Sequence, residues 1–350
     1  MIKQVTFCAL GALALAGCND PAAQGGGGGG SRQEMKIVGS STVFPFSKAV
    51  AEKFAQGGQG RTAPVVESTG TGGGIEQFCA GVGIDSPDIA NASRRMKASE
   101  FETCQKNGVA EIVEIQVGID GIALAESKAG PGFQLTKQQI YEALAANPYG
   151  QPQQKKTWNQ VAPNLPAIPI AVFGPPTTSG TRDAFDELIM VAGCEANPAM
   201  KALKESDEDK HEDVCGTIRN DSGYSDQGEN DNLIVQKLVA NPQQLGIFGY
   251  SYLEANADKL KGIAIDGVMP TYDNIASGKY PGARPLFIYI KKAHVGKVPG
   301  LAEYVQEFVN ASGPDGYLKP LGLIVMPADK LAANAETAKA MTVLTADALK

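Results

Sequence analysis

Short apolar runs that end in a turn of serine, threonine and glycine recur in this chain, and a helical pattern follows each turn. Three of these turns lie at residues 39–42, 68–74 and 178–181. Regular alternation of strands with helices predicts an α/β fold. In such a fold, ligands bind at the carboxyl ends of the strands, where the helices begin.

The chemistry of these turns suits a small anion. A helix N-terminus exposes unpaired N–H groups and a partial positive charge, glycine allows close approach to the backbone, and hydroxyls add donors. For any single turn, ordinary helix capping is the simpler explanation. A fourth polar turn at 89–95 carries Arg94. Because the turns come from distant parts of the chain, their convergence on one acceptor-rich ligand predicts an oxyanion site.

The N-terminus has the pattern of an exported protein. Residues 1–17 place Lys3 before an apolar stretch, which is typical of a signal peptide. The stretch ends in Leu-Ala-Gly-Cys at Cys18 and resembles a bacterial lipobox, so we expect lipidation of Cys18; ordinary signal-peptide cleavage is the alternative. Residues 18–34 include six consecutive glycines and predict a flexible tether. Beyond the N-terminus, no apolar run reaches the roughly 20 residues of a membrane-spanning helix.

The cysteine count agrees with export. Removal of the leader leaves five cysteines, and acylation of Cys18 leaves four. An even number in an exported chain predicts two disulfides. Three connectivities are possible, and the local pairs are favoured, namely Cys79 with Cys104 and Cys194 with Cys215.

Composition argues against several other functions. The formal net charge is −7 and no basic stripe occurs, so nucleic acid binding is not expected. The chain has no C-x-x-C motif and only two histidines, His211 and His294, so neither a metal site nor a cofactor is expected. The acidic run at 205–213 lacks the spacing of a calcium loop and reads as a solvated excursion. The scarcity of histidine and the lack of a G-x-S-x-G elbow argue against a phosphatase or other hydrolase.

Several motifs together resemble the PstS family, the periplasmic phosphate-binding proteins of the Pst ABC transporter. They are G-S-S-T-V-F-P-F at 39–46, S-T-G-T-G-G-G at 68–74, D-I-A-N-A-S-R at 88–94 and T-S-G-T-R-D-A-F at 178–185. The segment at 280–290 is similar to the return crossover of that family. The resemblance covers residues from about 35 to 327.

That resemblance implies a two-lobed α/β fold of the type II (Venus-flytrap) binding-protein class, with a two-stranded hinge. Residues 35–118 and 283–350 would form lobe I, and 119–282 would form lobe II. The hinge is expected near 118–121 and 280–285.

The family's binding residues can be carried over by position. Ser68 matches the serine before the glycine run, and Ser179, Gly180 and Thr181 match the family's Ser-Gly-Thr. In the first motif Val43 stands where some members have a phosphate-contacting threonine, so neighbouring hydroxyls or backbone N–H groups must substitute. The other expected phosphate contacts are Ser41, Thr42, Ser93 and Arg94, and further candidates are Ser40, Val43, Thr69, Gly70, Arg182, Glu229 and Asn230.

Two departures from the family pattern affect the charge of the site. Pro175 replaces an arginine found in some members, and Arg94 replaces an aspartate found in others. We infer that Arg94, together with Arg182, supplies the positive charge. The missing carboxylate would accept a proton from hydrogen phosphate and repel fully ionised sulfate. Glu229 or Asp231 is the hypothesised substitute, with Glu229→Ala as the test.

These expectations combine into one function. The resemblance implies a monomeric lipoprotein in the periplasm that captures inorganic phosphate and delivers it to an ABC permease in the inner membrane. A rival is a binding protein for another tetrahedral oxyanion or for a phosphorylated small molecule. A rival of a different class is a periplasmic scaffold or secretion factor that keeps the fold without transport.

Overall fold

The computed structural model describes residues 34–58, 61–177, 179–228 and 231–349. The predictions for the leader, for Cys18, for nearly all of the tether, and for Glu229 and Asn230 therefore lie outside the described residues. Within the described ranges, no helix is long and apolar enough to cross a membrane.

The strands of the described residues are short apart from two. They are β1 (Lys36–Gly39), β2 (Val65–Ser68), β3 (Ile89–Ala92), β4 (Ile112–Ser127), β5 (Gln134–Leu135), β6 (Val172–Gly174), β7 (Tyr224–Asp226), β8 (Leu245–Gly249), β9 (Leu260–Gly262), β10 (Ala264–Ile265) and β11 (Ala283–Lys291).

Helices follow most of these strands. They are α1 (Phe44–Gln56), α2 (Thr71–Phe78), α3 (Ala98–Lys106), α4 (Lys137–Leu144), α5 (Gly180–Phe185), α6 (Ala192–Cys194), α7 (Pro198–Ser206), α8 (Glu208–Gly216), α9 (Asp231–Ala240), α10 (Tyr250–Ala255), α11 (Tyr272–Ala276), α12 (Leu301–Ala311) and α13 (Ala328–Ala340). A π-helical segment, Asp186–Val191, joins α5 to α6. Short 3-10 helices lie at Pro148–Gly150, Trp158–Gln160, Lys292–His294, Lys319–Leu321 and Ala346–Leu349.

The main sheet consists of two halves that share β4. Its strand order is β2-β1-β3-β11-β4-β8-β6-β7, and β9 also pairs with β4. In the first half, β1 runs parallel to β2 and β3, while β11 pairs antiparallel with β3 and β4. In the second half, β6 runs parallel to β7 and β8, and β4 pairs antiparallel with β8. The mixed α/β class predicted from the alternating pattern is confirmed.

The long strand β4 carries the chain from one half to the other. Its first part, up to Gly121, pairs with β11, and its continuation from Ile122 pairs with β8. Gly118 and Gly121 stay extended within this strand and allow close packing. A side chain at Gly118 would collide with Leu323, and one at Gly121 would collide with Ile324.

Helices cover both faces of the first half. One apolar cluster joins β1, β4 and β11 to α1 and α12, and a second joins β3 and the opposite face of β11 to α2 and α3. The second half has one large cluster around β6, β8, α4 and α5 that includes the buried Trp158. Ile324 and Met326, which come from the C-terminal segment, also belong to this cluster.

One local prediction needs correction. Residues 89–92 were predicted to belong to a polar turn, but they form the buried strand β3. Helix α3 begins at Ala98, and the Glu100 carboxylate accepts the Lys97 N–H at 2.8 Å. The acidic run at 205–213 is largely exposed, as predicted for a solvated excursion, and it is largely helical. Asp207 caps α8 by accepting the Lys210 N–H at 3.1 Å.

Two disulfides close loops in different halves of the sheet. Cys79 is bonded to Cys104 between α2 and α3. Cys194 is bonded to Cys215 between α6 and α8. These are the two local pairs that the spacing favours.

Candidate functional site

A cavity of about 210 Å³ lies where β1, β2 and β3 end, facing the start of α5. Its lining residues are Ser40, Ser41, Thr42, Gly70, Thr71, Ser93, Arg94, Asp183, Glu187 and Arg284. Turns at three strand ends of the first half therefore meet residues of the second half at one place, whereas none of the described residues of the 178–181 turn is among the lining residues.

The first turn is shaped by Gly39, which has φ +128° and ends β1. A side chain there would collide with the backbone of Asn91, so only glycine fits. The chain then turns so that the Ser40 N–H donates to the Asn91 carbonyl at 3.0 Å. The Ser41 hydroxyl donates to Asp183 Oδ2 at 2.9 Å, and the Thr42 hydroxyl accepts from Arg284 at 2.7 Å.

The second and third turns are joined by their hydroxyls. Thr71 Oγ1 and Ser93 Oγ lie 3.0 Å apart, and Thr71 Oγ1 also accepts the Ser93 N–H at 3.1 Å. Thr71 is the first residue of α2, and Gly74 in that helix leaves no room for a side chain against Gly39. The close approach of α2 to β1 therefore depends on these two glycines.

Arg94 brings a positive charge to the cavity edge and is held by one carboxylate. Its Nη1 and Nη2 donate to the two carboxylate oxygens of Glu100 at 3.0 and 2.7 Å, and its side chain is 30% exposed. The hydrogen bond to Glu100 raises the pKa of Arg94 above its ordinary value. Burial raises the pKa of Glu100, but the hydrogen bonds from Arg94 and from the Lys97 N–H, together with the charges of Arg94 and Lys97, outweigh it, so the pKa of Glu100 lies below its ordinary value.

Arg182 does not line the cavity. Its Nε donates to both carboxylate oxygens of Asp186 at 3.0 Å, and its guanidinium lies over the ring of Tyr224 at 5.0 Å. Burial raises the pKa of Asp186 to about 6, although the Arg182 charge opposes that rise. Arg182 is therefore engaged in packing the second half rather than facing the ligand space.

Arg284 is a cationic lining residue that the sequence did not single out. It lies on β11 opposite Asp120 of β4 and is 6% exposed. Its guanidinium donates to Thr42 in the first half and, at 2.5 Å, to Glu187 in the second half. Its Nε lies 3.5 Å from Asp120 Oδ2. Burial raises the pKa of Asp120, and Arg284 opposes the rise.

The Ser-Gly-Thr motif borders the cavity without lining it. The Ser179 hydroxyl accepts the Thr181 N–H at 3.2 Å and so caps α5. A Cβ on Gly180 would lie 3.5 Å from Thr42 Cα, which shows how closely the two halves approach. The remaining expected contacts outside the lining are Val43, which is buried at the start of α1, Ser68, which is exposed at the end of β2, and Thr69.

Of the two hypothesised acceptors, Glu229 lies outside the described residues, and Asp231 is not at the cavity. Asp231 Oδ2 accepts the Gly249 N–H at 3.2 Å, and Asp231 is not among the lining residues. The carboxylates that the structure brings to the cavity are Asp183 and Glu187, which the sequence reading missed along with Thr71 and Arg284. In the described ranges, no cluster of histidine, cysteine and carboxylates is arranged to hold a metal ion.

Two sheet halves joined by a continuous strand, with a polar cavity where they meet, define the two-lobed substrate-binding proteins. Residues 24–312 match the family profile described as the PBP superfamily domain. Solved structures have the same fold. The chain superposes with a TM-score of 0.70 and 31% identity on a possible phosphate-binding protein from Planctomyces limnophilus, covering 91% of this chain and 99% of the other. An ABC-type phosphate transport receptor from Vibrio cholerae, at 23% identity and TM-score 0.59, covers 84% of this chain and all of its own and shares the fold.

Sequence relatives narrow the assignment. The chain is 34% identical over 298 residues to protein SphX of Synechococcus elongatus, covering 83% of this chain and 77% of the relative. It is 30% identical over 300 residues to the phosphate-binding protein PstS of Staphylococcus saprophyticus, covering 84% and 81%. The chain belongs to the PstS family of periplasmic phosphate-binding proteins.

Proposed function

We propose that this chain captures inorganic phosphate in the cavity between the sheet halves and delivers it to an ABC permease as a lipid-anchored periplasmic protein. One observation carries the proposal: hydroxyls from three strand ends lie with Arg94 and Arg284 around a single cavity of about 210 Å³. The names of the relatives, a phosphate-binding protein and a phosphate transport receptor, support phosphate as the ligand.

Binding, rather than a chemical reaction, is the proposed mechanism. The boundaries expected for the lobes, 35–118 with 283–350 and 119–282, lie close to where β4 passes from one half to the other and to where β11 begins. Rotation about these two strands would open and close the cavity. In the closed form, donors that have lost their water must all be paired with the anion, which is the source of specificity.

The positive charge would come from two arginines in different roles. Arg94 is held at the cavity edge with nearly a third of its side chain exposed, so it can turn a donor towards the ligand. Arg284 is deeply buried and tied to both halves. Charge-assisted hydrogen bonds from guanidinium groups suit a tetrahedral anion with several acceptor oxygens.

The test uses two neighbouring arginines in the full-length chain, purified in detergent and stripped of phosphate. Arg94→Ala should weaken phosphate binding by about 10- to 150-fold, the effect of losing one hydrogen bond to a charged group. Arg95→Ala is the matched control, because Arg95 is bonded to Glu114 outside the cavity lining and should leave binding unchanged. Calorimetry measures both.

The outcomes separate the alternatives. Binding of sulfate but not phosphate would keep the fold and change the ligand. Binding of no anion would favour a scaffold or secretion factor. Phosphate binding that Arg94→Ala leaves intact would show that the anion lies elsewhere.

A further inference from the structure

The cavity contains two carboxylates, which is unexpected in a site for an anion. Asp183 and Glu187 lie four residues apart, on α5 and its π-helical continuation, and both line the cavity. A carboxylate beside an oxyanion repels it unless a hydrogen lies between them. The two carboxylates therefore bear directly on which anions the proposed phosphate site accepts, and the inference below rests on that proposed function.

Glu187 already has a cationic partner. Its Oε2 accepts a hydrogen bond from Arg284 Nη1, and the two groups form an ion pair. The charge of Glu187 is thus balanced within the protein. Its side chain is 55% exposed, so water screens what remains of its field.

Asp183 is differently placed. Its Oδ2 accepts the Ser41 hydroxyl at 2.9 Å, and across the described part of the chain no cation lies within ion-pair distance of it. A serine hydroxyl has a single hydrogen, so Ser41 cannot donate to a ligand while it donates to Asp183. Towards the cavity, Ser41 Oγ and the Asp183 carboxylate both present acceptor lone pairs.

We propose that Asp183, with Ser41 beside it, is the residue that selects oxyanions carrying a hydrogen. Hydrogen phosphate and arsenate donate that hydrogen to Asp183 or to Ser41 Oγ. Sulfate and selenate have the same tetrahedral shape but no hydrogen to donate. Each would therefore face the two acceptors, Asp183 and Ser41 Oγ, without a hydrogen bond and would be repelled. The selecting carboxylate belongs to the second sheet half, whereas the three hydroxyl turns belong to the first. Selection therefore takes place where the halves come together on the anion, and not on the first half alone.

Asp183→Asn is the direct test because it keeps the shape of the side chain. The amide nitrogen can donate to Ser41 Oγ, which frees the serine hydrogen for the anion. Phosphate and arsenate affinity should fall by about tenfold or more, and sulfate and selenate affinity should rise. The ratio of phosphate affinity to sulfate affinity should therefore fall by roughly a hundredfold. Asp183 is exposed, so the variant should fold, which thermal unfolding checks.

A further variant controls for charge. Asp209→Asn removes one charge from the exposed acidic groove that adjoins the cavity, and it should leave the preference unchanged. Calorimetry with the four anions on the full-length, phosphate-free chain measures both variants.

The outcomes distinguish this inference from the function on which it rests. A wild-type chain that binds no phosphate would contradict the proposed function. A wild-type chain that prefers phosphate, with an unchanged preference in Asp183→Asn, would overturn the role of Asp183 while the function stands. An equal loss of the preference for phosphate in Asp209→Asn would also overturn the role of Asp183, because the net negative charge of this surface would then explain the selectivity.

Discussion

Replacing Arg284 with methionine should lower the free energy of unfolding by several kcal/mol. Arg284 is 6% exposed and faces Asp120, whose side chain is 19% exposed. Removal of one partner from a buried ion pair leaves the other charge uncompensated, which costs about 3–5 kcal/mol. The Glu187 contact adds little because that carboxylate is 55% exposed. We therefore expect a loss of about 3–5 kcal/mol near neutral pH.

The loss should depend on pH in a defined direction. Burial raises the pKa of Asp120, so the folded chain keeps a proton on Asp120 at pH values where the unfolded chain has lost it. The contribution of Asp120 to stability therefore declines as pH rises through that window. Without Arg284 the pKa of Asp120 rises further, so the pH range over which Asp120 lowers the stability becomes wider. The difference in the free energy of unfolding between the wild type and Arg284→Met should be smaller at about pH 5 than at about pH 8.

Urea unfolding, followed by the fluorescence of Trp158, measures the loss. Trp158 is the single tryptophan and is 1% exposed. The double variant Arg284→Met with Asp120→Asn should recover much of the loss, because the stranded charge is gone. Arg61→Met is the control, since Arg61 lies over the Phe54 ring at the surface. A loss below about 1 kcal/mol, or equal losses at both pH values, would refute the reasoning.

Two further predictions concern closure of the cavity and the covalent links. Gly180→Ala should bind phosphate about as well as wild type, since its Cβ would make ordinary contact with Thr42 at 3.5 Å. Gly180→Leu should weaken binding about tenfold by holding the halves apart, because overpacking costs about 1–3 kcal/mol. Equal binding by both variants in calorimetry would show that the halves need not meet there. Replacing Cys79 and Cys104 with serine removes the link that closes a loop of 25 residues and should lower the free energy of unfolding in urea by about 3 kcal/mol. When the disulfides of both proteins are reduced, the replacement should have no effect.

The part of the site that could be predicted from the sequence is the part encoded locally. Ser40, Thr42 and Gly70 stand in turns where a strand pattern changes into a helix pattern, and that change is visible in a few consecutive residues. Since parallel strands bring their carboxyl ends to one edge, convergence of the turns followed from the fold class. All three line the cavity.

The missed residues depend on geometry that local patterns do not contain. Arg284 stands in an apolar run that reads only as a strand, and its role follows from register opposite Asp120 and from the turn at Thr42. Asp183 and Glu187 did leave a signal: their spacing of four puts both on one helix face, next to a face formed by Arg182 and Asp186. Which of these two faces points to the cavity could not be read from the spacing.

The path of β4 and β11 also bears on the order in which the chain can fold as it is synthesised. The first half needs β11, which lies between β3 and β4, so its sheet is incomplete until residue 291 has emerged. The strands of the second half, β4 and β6 to β9, are all present by residue 262. A chain that emerges N-terminus first can therefore form the second half while β1, β2 and β3 still wait for β11. Until the last third of the chain arrives, those early strands leave an edge with which other chains can pair.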